Sequence, residues 1–168
     1  MKRKQLLRRL DAGFSLIELL IAITIIGIMA AVAIPNLLSY LRKGRETAAV
    51  SSLKTVHQAE TQYQSNRGRF GALKELAADG ILDKQYASGQ PINGYVYTDG
   101  DITPDTYTVH ADRQNDGTAT RDFNITEEGV VFYKEAKTKG TVARGEGTAY
   151  SSTEVKAADQ APAAAPKQ

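Results

Sequence analysis

One acidic residue interrupts the longest apolar stretch of the chain. Residues 14–34 are apolar almost throughout, and Glu18 lies near the beginning of that stretch. A carboxylate inside a membrane segment costs about 2.5–3.5 kcal/mol or more, so its presence there indicates a functional role. The chemistry open to it is pairing with a cation in a medium that solvates neither charge well. Glu18 is therefore the first candidate functional residue.

The segment that carries Glu18 has the length and the flanks of a membrane helix. About 20 residues in a helix span roughly 30 Å, the thickness of the hydrocarbon core of a bilayer. A basic head precedes the segment and consists of Lys2, Arg3, Lys4, Arg8 and Arg9. By the positive-inside rule this head stays in the cytoplasm. The sequence therefore predicts a single-pass membrane protein.

The N-terminal segment differs from a cleaved secretory signal. Such a signal has an apolar stretch of about 7–15 residues, followed by a small-residue cleavage site. Here the apolar stretch is longer, and the small residue, Gly13, precedes it. Cleavage at Gly13 would remove residues 1–13 and leave the membrane segment at the new N-terminus. The alternative is an uncleaved signal anchor, which accounts for the basic head and the span but not for Glu18 or for the place of Gly13.

The sequence GFSLIE, from Gly13 to Glu18, resembles the class III signal of type IV pilins and type II secretion pseudopilins. The resemblance covers residues 4–41. It implies that a prepilin peptidase cuts between Gly13 and Phe14 and then N-methylates Phe14. It also implies that Glu18 is the acid through which subunits of the family assemble.

Cleavage would give this acid a partner. The new N-terminus at Phe14 is an amine, which is a cation at neutral pH, and Glu18 lies four residues further on the same helix face. The pair can close within one chain or, as in the assembly model of the family, between an incoming subunit and one already in the filament. The implied function is that of a non-enzymatic structural subunit of a type IV pilus or pilus-like filament. A pseudopilin of a type II secretion system is the alternative within the family, and an uncleaved, membrane-anchored periplasmic binding module is the alternative outside it.

Two residues are expected to modify the membrane helix. Proline cannot donate a helical hydrogen bond, so Pro35 should kink or loosen the helix. Gly27 is a second weak point, or a small residue that lets membrane helices pack closely. Both fall at positions where the family usually has glycine and proline.

The pattern after the membrane segment predicts an α+β protein with a pilin-like fold. From Asn36 onward apolar residues recur at helical spacing, which predicts one helix over residues 14–65 and a solvated face on its second half. A short helix around Leu73 should end at Gly80. Four strand-like runs then predict an antiparallel meander whose apolar face covers the second half of the long helix. These runs are residues 95–98, 107–111, 121–126 and 130–133.

The chain is expected to have four parts. They are a cleaved cytoplasmic leader (1–13), a transmembrane and polymerisation helix (14–35), a periplasmic or extracellular head domain (36–135) and a tail (136–168). The tail is rich in alanine, glycine and polar residues, which predicts disorder from residue 136. A last edge strand around Val142 is the alternative.

Composition narrows the chemistry further. The chain has 168 residues, a net charge of +2 and no cysteine, so neither a disulfide framework nor a thiolate metal site is expected. His57 and His110 are the only histidines, and we interpret both as polar residues of a helix and a strand. The sequence has no phosphate loop, zinc spacing or nucleophile motif, so no enzyme activity and no cofactor are predicted.

Two groups of charged residues are candidate binding sites. Acids near the predicted turns could ligate calcium, as in some pseudopilins, but turn residues in water explain them, so no metal is predicted. Basic residues could contact DNA, as in some minor pilins, but no aromatic residues alternate with them, so no nucleic acid is predicted. The acids are Asp99, Asp101, Asp105, Asp112 and Asp116, and the basic residues are Arg67, Arg69, Lys134, Lys137, Lys139 and Arg144.

The resemblance also implies partners and a location. The partners are further copies of the chain or related pilins, the prepilin peptidase and an inner-membrane assembly platform. The chain would lie in the inner membrane before assembly and in a pilus or periplasmic filament afterwards.

Overall fold

The computed structural model describes residues 14–151 and divides the chain into two units, Met1–Tyr40 and Leu41–Gln168. Helix α1 spans Leu16–Arg67 and belongs to both units. Among the described residues it is the one helix long and apolar enough to cross a membrane. The predicted end of the helix at residue 65 is confirmed to within two residues.

The second unit contains one antiparallel sheet in the order β1-β2-β3-β4-β5. The strands are β1 (Tyr95–Ile102), β2 (Tyr107–Arg113), β3 (Arg121–Thr126), β4 (Val131–Glu135) and β5 (Thr148–Ala149). The predicted meander of four strands is confirmed, and β5 adds a short fifth strand beside β4. Each pair of neighbours in the meander is connected by a short loop, which keeps consecutive strands adjacent.

The short helix predicted after α1 is also present. Helix α2 spans Leu73–Ala78, and a 3-10 turn follows at Lys84–Ala87. Gly80 has a φ of 72°, and beyond it the N–H of Ile81 donates to the carbonyl of Leu76 over 3.0 Å. A glycine in the left-handed region closes the helix in this way without steric strain.

One face of the sheet packs on the second half of α1. Residues on this face alternate with residues on the other, because successive side chains of a strand point to opposite sides. Val109, Phe123 and Ile125 from the sheet and Leu53 and Val56 from the helix are all 0% exposed. This apolar layer is the core of residues 41–151, which we call the head domain. The fold is the predicted α+β arrangement.

The opposite face of the two central strands is polar, yet it is buried as well. Its side chains are each 9% exposed or less, and they are Thr108, His110, Asp112, Asp122, Asn124 and Thr126. Residues 136–146, which we call the covering segment, lie over this face. Asn124 Nδ2 donates to the carbonyls of Val142 (2.9 Å) and Ala143 (3.0 Å). The N–H of Gly140 donates to Asp122 Oδ2 over 3.2 Å.

Here the structure differs from the disordered tail predicted from residue 136. The covering segment buries Val142 completely and satisfies its backbone groups on polar side chains of the sheet. Composition predicts disorder where apolar burial is too small to order a segment, but this segment is held mainly by hydrogen bonds. The alternative strand around Val142 also differs, because the strand lies at Thr148–Ala149. Residues 152–168 of the predicted tail lie outside the described residues.

Candidate functional site

Glu18 lies in the first turn of α1 and closes a capping arrangement there. Its Oε2 accepts a hydrogen bond from the N–H of Ser15 over 2.9 Å, and Ser15 Oγ accepts one from the N–H of Ile17 over 3.3 Å. A serine followed three residues later by a glutamate is a capping box, which satisfies N–H groups that have no partner within the helix. Sequence reasoning missed this role of Ser15, although the Ser-x-x-Glu spacing was its signal.

Residues 14–40 leave their large apolar side chains unburied. Phe14 is 90% exposed, Leu16 is 82% exposed and Met29 is 68% exposed. The others, each at least half exposed, are Ile17, Leu19, Leu20, Ile21, Ile23, Ile25, Ile26, Ile28, Val32, Ile34, Leu37, Leu38 and Tyr40. An apolar surface of this extent marks contact with a membrane or with other proteins.

The structure shows the setting of the two residues expected to modify the membrane helix. A Cβ atom added to Gly27 would have no heavy atom within 4 Å, so its face is open to a close approach. Pro35 lies inside α1, where it lacks the N–H that would bond the carbonyl of Ala31. Asn36 Nδ2 donates to the carbonyl of Val32 over 3.2 Å. Gly13 and the leader, residues 1–13, lie outside the described residues.

The two histidines occupy different surroundings in the head domain. His57 Nδ1 lies 2.6 Å from the hydroxyl of Tyr107, and burial lowers the pKa of His57 and raises the pKa of Tyr107. His110 is buried in β2 beside Gly100, where an added Cβ would come within 2.4 Å of His110 Nε2. Both side chains are packed within the domain rather than facing a cleft.

Three of the five candidate calcium ligands accept hydrogen bonds from groups of the protein. Asp99 Oδ1 accepts from the N–H of Leu73, Asp112 Oδ2 accepts from the hydroxyl of Thr141, and Asp116 Oδ1 accepts from the N–H of Lys139. In the part of the chain that the structure describes, no three histidine, aspartate or glutamate side chains are grouped to hold a metal ion.

Several of the basic residues weighed as DNA contacts form ion pairs with neighbouring acids. Arg67 pairs with Asp79, Arg69 with Glu75, Lys134 with Glu146, and Arg144 with Glu127. The Glu75 pKa falls to about 2, chiefly because Arg69 donates hydrogen bonds to its carboxylate. In these pairs the positive charges are partly balanced by neighbouring carboxylates.

The chain is similar to known proteins both in its N-terminal motif and over longer alignments. Residues 8–34 match the family model described as the prokaryotic N-terminal methylation motif. The chain is 40% identical over 60 residues to the type IV major pilin protein PilA of Myxococcus xanthus, an alignment that covers 36% of this chain and 27% of the relative. It is 30% identical over 93 residues to the type II secretion system core protein G of Aeromonas hydrophila, covering 55% of this chain and 62% of the relative. It is 28% identical over 108 residues to the type IV major pilin protein PilE of Neisseria gonorrhoeae, covering 64% of each.

The chain therefore spans less than two thirds of the length of these relatives. A long N-terminal helix whose second half packs on an antiparallel sheet defines a pilin-like α+β protein. The methylation motif and these relatives make the chain similar to type IV pilins and to type II secretion pseudopilins.

Proposed function

We propose that the chain is a structural, non-catalytic subunit of a type IV pilus or pilus-like filament. The observation that carries the proposal is the unburied apolar surface of residues 14–40, which begins with an acid in the first helical turn. A lone domain in water would pay to expose such a surface, whereas a membrane or a bundle of like helices would cover it.

Glu18 is the residue through which cleavage of the leader would switch assembly on. Cleavage after Gly13 would convert the amide before Phe14 into an ammonium one helical turn from the Glu18 carboxylate. The bond from the Ser15 N–H already directs that carboxylate toward the N-terminal end of the helix. In an apolar surrounding the ammonium and the carboxylate strongly favour pairing, either within a chain or between subunits. Processing would thereby supply the cation that assembly needs.

The subunit would pass through the inner membrane before it enters a filament. The leader, residues 1–13, would hold the chain in the inner membrane until prepilin peptidase removes it and methylates Phe14. An assembly platform in the same membrane would then add the subunit to a filament of identical or related pilins. Gly27 and Pro35 would let neighbouring helices approach and adjust within the filament.

A second function has its own support. The similarity to a type II secretion core protein extends over 55% of the chain, well beyond the N-terminal motif. A pseudopilin would use the same processing and the same helix but would remain in a short periplasmic filament.

The test is the intact mass of the protein in two fractions of the native cells. Filaments are sheared from the surface, and the protein is measured in the sheared material and in the membranes. A species that begins at methylated Phe14 in the sheared fraction supports the pilus subunit. The same species found only in the membranes supports the pseudopilin. A mass that still includes residues 1–13 contradicts both and supports the plain anchor.

A matched pair of substitutions tests the part played by the acid. Glu18→Gln should leave the protein in the membrane, with its leader removed, and should reduce the amount in sheared filaments by at least about tenfold, as expected for loss of a pair in apolar surroundings. Glu128→Gln makes the same change at an exposed head-domain residue and should leave the yield unchanged. Normal filament yield from Glu18→Gln would contradict the assembly role.

A further inference from the structure

Three consecutive backbone N–H groups at the start of α2 are bound by three carboxylates from different elements. The N–H of Gly71 donates to Glu60 Oε2 of α1 over 3.2 Å. The N–H of Ala72 donates to Glu75 Oε2 of α2 over 3.0 Å, and the N–H of Leu73 donates to Asp99 Oδ1 of β1 over 2.9 Å. We call residues 71–73 the bound loop. Its backbone therefore forms hydrogen bonds with side chains of α1, α2 and β1.

Glu60 differs from the other two acids in its surroundings. Its side chain is 0% exposed, and its Oε1 is buried without a hydrogen-bond partner. Arg69 is engaged by the neighbouring acid Glu75, because it binds both carboxylate oxygens of Glu75, over 2.8 and 3.1 Å. A buried carboxylate without a paired cation is strongly disfavoured in its charged form.

Among the residues that the structure describes, the charged groups that act on Glu60 are both acids. Asp99 of β1 and Glu75 of α2 repel a negative charge on Glu60. The neutral phenol of Tyr107 in β2 is close enough for Glu60 to affect it, and it is bonded to His57, whose pKa burial lowers. Burial first, and then repulsion from the two acids, raises the pKa of Glu60 to about 7, although the bond from Gly71 opposes this.

We propose that Glu60 is a proton-binding site that regulates how firmly the bound loop and α2 are held on the head domain. When protonated, the carboxyl keeps the Gly71 bond on Oε2, carries the proton on the unpartnered Oε1 and removes one negative charge from the group of three. When ionised, it repels the other two acids from a site that excludes water. The loop and α2 are then held less firmly.

The packing around the bound loop makes it sensitive to this change. A Cβ atom added to Gly71 would lie 2.6 Å from Tyr63 Cε1 and 3.0 Å from Leu76 Cδ1, so the loop lies close against its neighbours. Leu73, the last residue of the loop, and Leu76 of α2 are both buried. A displacement of the loop would therefore expose apolar side chains of α2, and ionisation of one carboxyl would weaken the whole element.

The sign of the pH dependence follows from the direction of the shift. The Glu60 pKa in the folded protein, about 7, lies above its ordinary value of 4.5. The stabilisation is therefore complete below the ordinary value and is lost as the pH rises through about 7. His57 acts in the opposite sense, because its lowered pKa makes folding less favourable as the pH falls below 6.5. A variant comparison is needed to isolate Glu60.

The test is urea unfolding of the full chain in detergent micelles at pH 5 and pH 8. Between these values the unfolding equilibrium constant of the wild type should rise roughly tenfold to a hundredfold more than that of Glu60→Gln, since one pKa unit corresponds to a factor of ten. Glu46→Gln is the matched control, because Glu46 is also buried in α1 but has both an N–H and a hydroxyl of Thr120 bonded to Oε1. It should keep the wild-type pH dependence. Equal pH dependence of the wild type and Glu60→Gln would overturn the proposal.

Two further measurements locate the effect and do not depend on filament assembly. In the wild type, carbon-13 NMR of labelled glutamate carboxyls should show one group that titrates near pH 7, and titration of every glutamate below about pH 5.5 would overturn the proposal even if Glu60→Gln failed to fold. Hydrogen exchange compared at equal pH removes the intrinsic pH effect on exchange. At pH 8 the amides of residues 71–78 should exchange faster in the wild type than in Glu60→Gln, and at pH 5 they should exchange alike. Equal exchange of residues 71–78 in the wild type and Glu60→Gln at pH 8 would contradict the proposal.

Discussion

The two units of the chain use similar apolar residues in opposite ways. In residues 14–40 a typical isoleucine such as Ile25 is 53% exposed, whereas in residues 41–151 Val56 of the same helix and Ile125 of the sheet are 0% exposed. Both units contain part of the same helix, α1. The difference shows that α1 has two separate physical roles: its second half stabilises a domain, and its first half presents a surface that only a bilayer or other chains could cover.

Removing one apolar side chain from each unit should give very different losses of stability. Phe123 is 0% exposed, and its ring lies 5.7 Å from that of Tyr95 and 6.0 Å from that of Tyr150. Phe123→Ala should lower the free energy of unfolding by about 3–5 kcal/mol, because it leaves a cavity among rings that cannot close over it. Urea unfolding in detergent micelles, followed by circular dichroism, measures the change.

Ile25→Ala is the matched substitution in the first unit. Its effect on the unfolding of the head domain should stay within about 0.5 kcal/mol, since the side chain buries little within the chain. A loss comparable to that of Phe123→Ala would mean that residues 14–40 contribute to the head-domain core, and the comparison would fail.

A second, smaller contrast uses asparagines that donate to backbone carbonyls in both units. Asn124 is 0% exposed and bonds two carbonyls of the covering segment, whereas Asn36 is exposed and bonds one carbonyl of its own helix. Asn124→Ala should cost about 1–3 kcal/mol, because it leaves buried carbonyls without a donor. Hydrogen exchange of residues 136–146 should rise in the same variant.

Asn36→Ala is the control for this contrast. The lost bond joins two residues of the first unit, so its effect on the unfolding of the head domain should be close to zero. If Asn124→Ala left both stability and exchange unchanged, the covering segment would not be held by the polar face of the sheet.

This polar face also explains how far the sequence could predict the fold. The helices and the four-strand meander follow from periodicity, because residues such as Leu53 and Phe123 recur at the spacing of a helix or a strand and face the core. The covering segment has no such pattern. Hydrogen bonds between its backbone and the side chains of Asn124 and Asp122 hold it on the sheet. These bonds join residues 18 positions apart, so they cannot be deduced from amino-acid composition.

The functional residues, too, could be predicted from the sequence only in part. The spacing of Glu18 within an apolar run predicted an unusual acid, and the structure adds its capping bond with Ser15, which the Ser-x-x-Glu pattern could have predicted. Glu60 could not be selected from sequence, because it looks like one more charged residue of an amphipathic helix. Its character depends on burial beneath a loop that comes from another element.

The smallest loss of stability is expected for an exposed ion pair of the head domain. It tests whether burial, rather than position in the head domain, decides how much a substitution costs. Arg67 Nη2 lies 2.9 Å from Asp79 Oδ2, but the two side chains are 58% and 30% exposed. Water and salt screen such a pair, so Arg67→Ala should change the free energy of unfolding by less than about 1 kcal/mol, and less again in high salt. Urea unfolding at low and high salt measures both values. A loss as large as that of Asn124→Ala, or one insensitive to salt, would show that this pair fixes the end of α1 against α2 more firmly than its exposure allows.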